Sequence, residues 1–179
     1  MLKITAILLA LVSFPSTNEQ PLKLDFGVYP SDRATVMYRM MTPVLEAIQD
    51  PLEQLLGIPV DIHLTIFEDY DAGIEALAEG EVDFVRFGPA SYILAEQRNK
   101  GVTLLAMELR KGITRFNGFI IARADSRIQK IEDLASRSFA FGDQNSTIGC
   151  FLAQAEMVDA GITAEHLSSY DFLGRHDLV

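Results

Sequence analysis

Between Leu22 and Leu109 the hydrophobic pattern switches back and forth between a period of two and helical spacing, and that alternation restricts the fold more than any other feature of the chain. Leu22–Val28 alternates apolar and polar residues and stops at Tyr29-Pro30-Ser31-Asp32, which reads as a strand and a turn. From Ala34 to Leu56 apolar residues recur at three and four. Pro43 and Pro51 are each placed to open a fresh helix rather than lie inside one, and Gly57 ends the run. Pro59–Ile66 is a period-two strand with Val60, Ile62, Leu64 and Ile66 on one side, and Asp69 caps a short helix that reaches Gly80. A strand at Val82–Val85, a helix at Pro89–Arg98 and a strand at Val102–Leu109 complete a β-α-β-α-β-α-β order. Such an order predicts an α/β sheet with helices on both faces.

The pattern changes after Arg110. Arg115–Arg123 reads as a long strand, and the Asp125-Ser126 turn after it marks a crossing into a second lobe, so lobe 1 is expected over residues 21–114 and lobe 2 over 115–179. The second unit comprises a helical turn around Ile131–Leu134, a strand at Ser138–Phe141, a loop at Gly142–Asn145, a helix from Ser146 to about Ala160 and a strand at Leu167–Phe172. Gly174-Arg175-His176-Asp177 then opens another helix. Two strands and one and a half helices are too little for an independent core. The second lobe is therefore expected to be incomplete, and the chain a piece of a longer protein.

Residues 1–20 are a separate object. A basic start at Lys3, an apolar run from Ile4 to Val12 and a polar, helix-breaking Ser13–Thr17 form a signal-peptide pattern, and the run is far shorter than the roughly 20 residues of a membrane span. Export to the periplasm or cell envelope is expected.

Composition removes several classes of function. With 49% hydrophobic and 22% charged residues the chain is not intrinsically disordered. Fifteen Lys+Arg against 25 Asp+Glu give a net charge of −10 with no basic cluster, which argues against a nucleic-acid partner. Cys150 is the only cysteine, so neither an internal disulfide nor a cysteine-cluster metal site can form. His63, His166 and His176 are widely spread, and no metal or cofactor is implied.

The segment Phe139-Ala140-Phe141-Gly142-Asp143-Gln144-Asn145-Ser146-Thr147-Ile148-Gly149 places two hydroxyls at the mouth of a helix directly after a strand. Helix starts carry unpaired N–H groups and partial positive charge, so amides plus Ser146 and Thr147 suit a tetrahedral oxyanion, although Ser and Thr are also ordinary N-caps. Other strand ends add polar groups: Ser91 and Tyr92 in Gly88-Pro89-Ala90-Ser91-Tyr92, Tyr29 with Ser31 after the first strand, and His176 after the last. Ligands of open α/β sheets collect outside the carboxyl ends of strands, so these clusters favour one cleft. Arg86 is a nearby positive charge or a solvated surface residue.

These blocks carry a resemblance. Phe26-Gly27-Val28-Tyr29-Pro30, Gly80-Glu81-Val82-Asp83, Gly88–Tyr92, Asp125–Ile128 with Asp133-Leu134, Phe141-Gly142-Asp143 with Ser146-Thr147-x-Gly149, and Gly174-x-His176-Asp177 stand in order. From Leu24 to Val179 the chain resembles the periplasmic phosphonate, phosphite and phosphate-binding proteins of ABC transporters. The resemblance implies a type 2 periplasmic-binding-protein fold of two lobes, each with a central sheet flanked by helices, and an oxyanion held by Ser146, Thr147, Tyr92 and His176, with no cofactor. It also implies delivery to an inner-membrane ABC permease. Ile148 stands where members commonly carry Ser, and the family runs on past His176. Two other readings are a ligand-sensing input domain of a membrane signalling protein, and a thiol enzyme with Cys150 as nucleophile and His176 as base.

Overall fold

The computed structural model describes residues 20–179 apart from Arg110 and Phe116, so the expected signal peptide lies almost wholly outside the described residues. Strand β1 (Leu22–Val28) is central in a parallel three-stranded sheet of order β2-β1-β3, with β2 at Val60–Ile66 and β3 at Phe84–Arg86. Its register runs from Leu22 opposite Val60 to Val28 opposite Ile66, and Phe26 lies opposite Phe84. Burial increases along β1 toward its carboxyl end, where buried Tyr29 follows.

Helix α1 (Ala34–Leu56) packs Met37, Met41 and Leu45 onto Phe26 and Val28, with Ile62, Leu64, Ile66 and Phe84 at the margin. It is one unbroken helix of 23 residues that contains both Pro43 and Pro51, contrary to the expectation of fresh starts. Both prolines are exposed. Each removes one backbone hydrogen bond, but the buried stripe at i, i+4 and i+8 is continuous past Pro43, and packing of that stripe outweighs the local loss. Helices α2 (Tyr70–Glu79) and α3 (Pro89–Arg98) complete the first unit. The Asp69 carboxylate accepts the Ala72 amide at 2.8 Å as the expected cap of α2, and Gly80 ends that helix at φ +77°.

No strand forms at Val102–Leu109 or among the described residues of Arg115–Arg123, which corrects the fourth and the long strand. The alternating pattern is present, but a strand also needs a neighbour for its N–H and C=O groups. Neither segment joins a ladder, and Leu105, Met107, Phe119 and Ile121 lie exposed.

The second unit is a parallel pair, β4 (Ser138–Phe141) with β5 (Ser169–Phe172), in register from Ser138 opposite Ser169 to Phe141 opposite Phe172. A 3-10 turn at Ile131–Leu134 precedes β4. A π-helical turn at Thr147–Leu152 runs into α4 (Ala153–Asp159), and a 3-10 turn at His176–Leu178 follows β5. Leu134, Phe141, Met157 and Ile162 form its buried cluster, with Ile120, Ile128 and Leu167 against it.

Candidate functional site

Five chain turns meet where the strands end. Tyr29 follows β1, Tyr70 opens α2 after β2, and Gly88–Ser91 opens α3 after β3. Ser146 and Thr147 follow β4, and His176 follows β5. The β4–β5 pairing continues past the strands, with Leu173 N donating to Phe141 O and Gly174 N to Gly142 O. That continuation carries His176 back over the loop after β4.

Ser146 is buried and caps the π-helical turn, its Oγ accepting the Gly149 amide at 3.0 Å. The same oxygen stands 3.5 Å from His176 Nε2, and the Tyr70 hydroxyl reaches that nitrogen at 3.3 Å. Thr147 Oγ1 accepts the Ala90 amide at 2.9 Å, which joins the mouth of α3 to the helix mouth after β4. Ser91, only 1% exposed, aims its hydroxyl at Asn145 O across the same junction at 3.5 Å. Tyr29 Oη accepts the Gly88 amide at 2.5 Å, and its ring stacks on Tyr70 at 3.6 Å between centroids. Space is tight throughout: a β-carbon on Gly149 would lie 3.0 Å from the His176 ring and 3.1 Å from Ser146 Oγ, and one on Gly88 would lie 3.0 Å from Tyr29 Oη.

Electrostatics keep the aromatic hydroxyls protonated. Burial raises the Tyr70 phenol well above its ordinary range, the neighbouring Tyr29 adds to the rise, and the Ser146 hydroxyl offsets part of it. Burial likewise raises Tyr29, opposed by hydrogen bonds from Ser91 and Gly88. Asp143 accepts the Asn145 amide at 2.7 Å, and burial raises its carboxyl, with the charge of Asp69 among the smaller contributions.

Of the residues expected from the sequence, Ser146, Thr147, His176, Ser91 and Tyr29 are brought together. Tyr92 lies one residue beyond them, half-buried, with its amide donating to Gly88 O at 3.1 Å and its hydroxyl free of partners among the described residues. Ser31 turns away to Met37 Sδ at 3.4 Å, and Arg86 is held by Glu108 at 2.7 Å. Cys150 is buried, takes a hydrogen bond from Gln154 Nε2 at 2.9 Å, and burial pushes its thiol up. The thiolate that a nucleophilic role requires is thus disfavoured. Tyr70 and Asp143 escaped sequence reasoning. Tyr70 had a usable signal, since it stands just beyond the carboxyl end of β2, where the rule that pointed to the other strand ends applies equally. Among the described residues there is no group of three or more His, Cys, Asp or Glu that could hold a metal, and no helix long and apolar enough to cross a membrane.

Residues 26–179 match the family model of the ABC transporter, phosphonate, periplasmic substrate-binding protein. The chain belongs to this family. Members are transport substrate-binding proteins of the periplasm. A curated relative, the phosphate-import protein PhnD of Mycolicibacterium smegmatis, is 28% identical over 123 residues, 66% of this chain and 38% of its own length. PhnD1 from Prochlorococcus marinus in complex with methylphosphonate is a structural neighbour at 19% identity and TM-score 0.60, covering 88% of this chain and 58% of its own. The binding protein component of an ABC phosphonate transporter from Pseudomonas aeruginosa, at 18% identity, gives a TM-score of 0.68 with 89% and 52% covered. The family chain described here therefore spans about two fifths to three fifths of these relatives, and its fold is that of the type 2 periplasmic binding proteins.

Proposed function

We propose that the chain captures a phosphorus oxyanion, a phosphonate, phosphite or phosphate, in the cleft between lobe 1 (21–114) and lobe 2 (115–179). As an exported component it hands this guest to an inner-membrane ABC permease. One observation carries the reading: the Tyr70 and Ser146 hydroxyls, from opposite lobes, converge on His176 Nε2 at 3.3 and 3.5 Å. Ser146 Oγ and Thr147 Oγ1 already accept the Gly149 and Ala90 amides, so each hydroxyl has its proton to give. A set of donors at a helix mouth suits an anion.

Ser146, Thr147, Tyr70, Tyr92 and His176 are assigned to the guest, and Tyr29 and Ser91 form the wall behind them. A neutral His176 accepts a P–OH proton and a protonated one donates to an oxygen, so sulfate, lacking that proton, is held less well by the neutral form. Charge-assisted hydrogen bonds contribute about 1.5–3 kcal/mol each, so four or five offset the cost of association and leave roughly −8 kcal/mol, which is micromolar binding. The relative named for phosphate import and the neighbour solved with methylphosphonate support the ligand class. Ile148 leaves the helix mouth with two hydroxyls rather than three. Titration calorimetry of the full-length protein with phosphite, methylphosphonate, aminoethylphosphonate and phosphate tests the reading. Micromolar binding of at least one is expected, and heat from none ends it.

A further inference from the structure

Ile148 lies between the two hydroxyl residues and Gly149, and its side chain meets the backbone of a distant segment. A β-carbon placed on Gly118 would lie 2.6 Å from Ile148 Cγ2 and 3.8 Å from its Cβ, so the backbone at Gly118 sits directly on this side chain. Gly118 belongs to the exposed segment that leads from one sheet to the other, far from both in sequence. The turn that Ile148 occupies is π-helical, with Ser146 O accepting both Cys150 N at 3.1 Å and Phe151 N at 3.2 Å. A π turn is wider and less favourable than an α turn, so its shape depends on what packs around it. Three neighbours surround it here: Ala90 holds Thr147, His176 crowds Gly149, and Gly118 backs Ile148.

We infer that Gly118 and Ile148 are positioning residues that touch no ligand: the bare backbone at 118 seats Ile148, and that seat holds Ser146 and Thr147 aimed at the guest. The inference rests on the oxyanion reading above. A β-carbon at 118 cannot share the space of the Ile148 methyl, so either that side chain or the 118 backbone must move, and either shift loosens the seat. Because the action runs through hydroxyls that meet oxygens common to phosphate and methylphosphonate, both ligands should lose affinity by the same factor.

A double-mutant cycle in the full-length protein tests this, with calorimetry against phosphate and methylphosphonate and thermal melting of every variant. Gly118→Ala is expected to weaken both ligands about tenfold, more than its melting temperature would suggest, and adding Ile148→Ala should restore affinity to within about threefold of the parent. Unchanged affinity in Gly118→Ala, a loss that Ile148→Ala does not relieve, or a loss that differs between the two ligands overturns the inference. If Gly118→Ala fails to fold, Ile148→Ala alone decides: about threefold weaker binding of both ligands supports the seat, and parental affinity overturns it. Ser146→Ala separates the two levels. If it leaves binding intact the oxyanion reading itself is wrong, whereas if it abolishes binding while Gly118→Ala is silent only the positioning role fails.

Discussion

Strand β1 has a partner on each side and α1 laid across it, whereas β4 and β5 are both edge strands and every residue of β5 is exposed. The first sheet therefore places Tyr29, Tyr70 and the α3 mouth from a buried scaffold. The second sheet places Ser146, Thr147 and His176 at the end of a two-stranded ribbon, and their positions are completed by contacts to Ala90, Tyr70 and each other. One side of the site is thus rigid by burial and the other by mutual fit. The difference teaches that small changes in side-chain volume act locally on the second side and globally on the first.

The contrast breaks most visibly between a buried side chain behind the first sheet and an exposed one on the ribbon. Ile74 is 0% exposed and Tyr170 is 47% exposed. Ile74→Ala should cost about 3 kcal/mol and Tyr170→Ala less than about 1 kcal/mol in urea denaturation of the full-length protein. Equal losses would erase the distinction between scaffold and ribbon. Ser146→Ala sharpens it on the other side: loss of the cap costs about 1 kcal/mol of stability, while on the proposed function, in which the same hydroxyl meets the guest, ligand affinity falls about tenfold or more. A stability loss with full affinity would make Ser146 a cap alone and would remove the oxyanion reading with it.

The smallest effect is one of pH. Tyr70 is raised above its ordinary value of 10.0, chiefly by burial. The folded state keeps this proton where the unfolded chain has begun to lose it, so the stabilisation is fully present below about pH 10 and is lost as pH rises beyond it. Tyr70→Phe should flatten the fall in denaturation midpoint between pH 9 and 11. A slope as steep as that of the parent would place the titration elsewhere.

Much of this was legible from residue order. The bounds of β1, α3 and β4 follow directly from alternation, from Pro89 at the helix start and from the Gly142 break. The hydroxyl cluster was legible because strand ends are where chains turn and ligands gather. The undivided α1 was not, since a proline advertises its own local cost and says nothing of the Met37, Met41 and Leu45 stripe packed opposite. Nor were the empty strands at 102–109 and 115–123, because alternation describes the faces of a strand and not the existence of a neighbour. Tyr70 was hidden by a stronger local signal: Asp69 caps α2 so clearly that the next residue reads as the first turn of a helix.

The Arg86 guanidinium, a formal cation at the end of β3, is occupied by Glu108. On the proposed function, a guest at the helix mouths would be met by oriented dipoles at close range rather than by that charge, and ions in the medium screen long-range fields far more than short contacts. Capture built this way would vary little between dilute and saline surroundings.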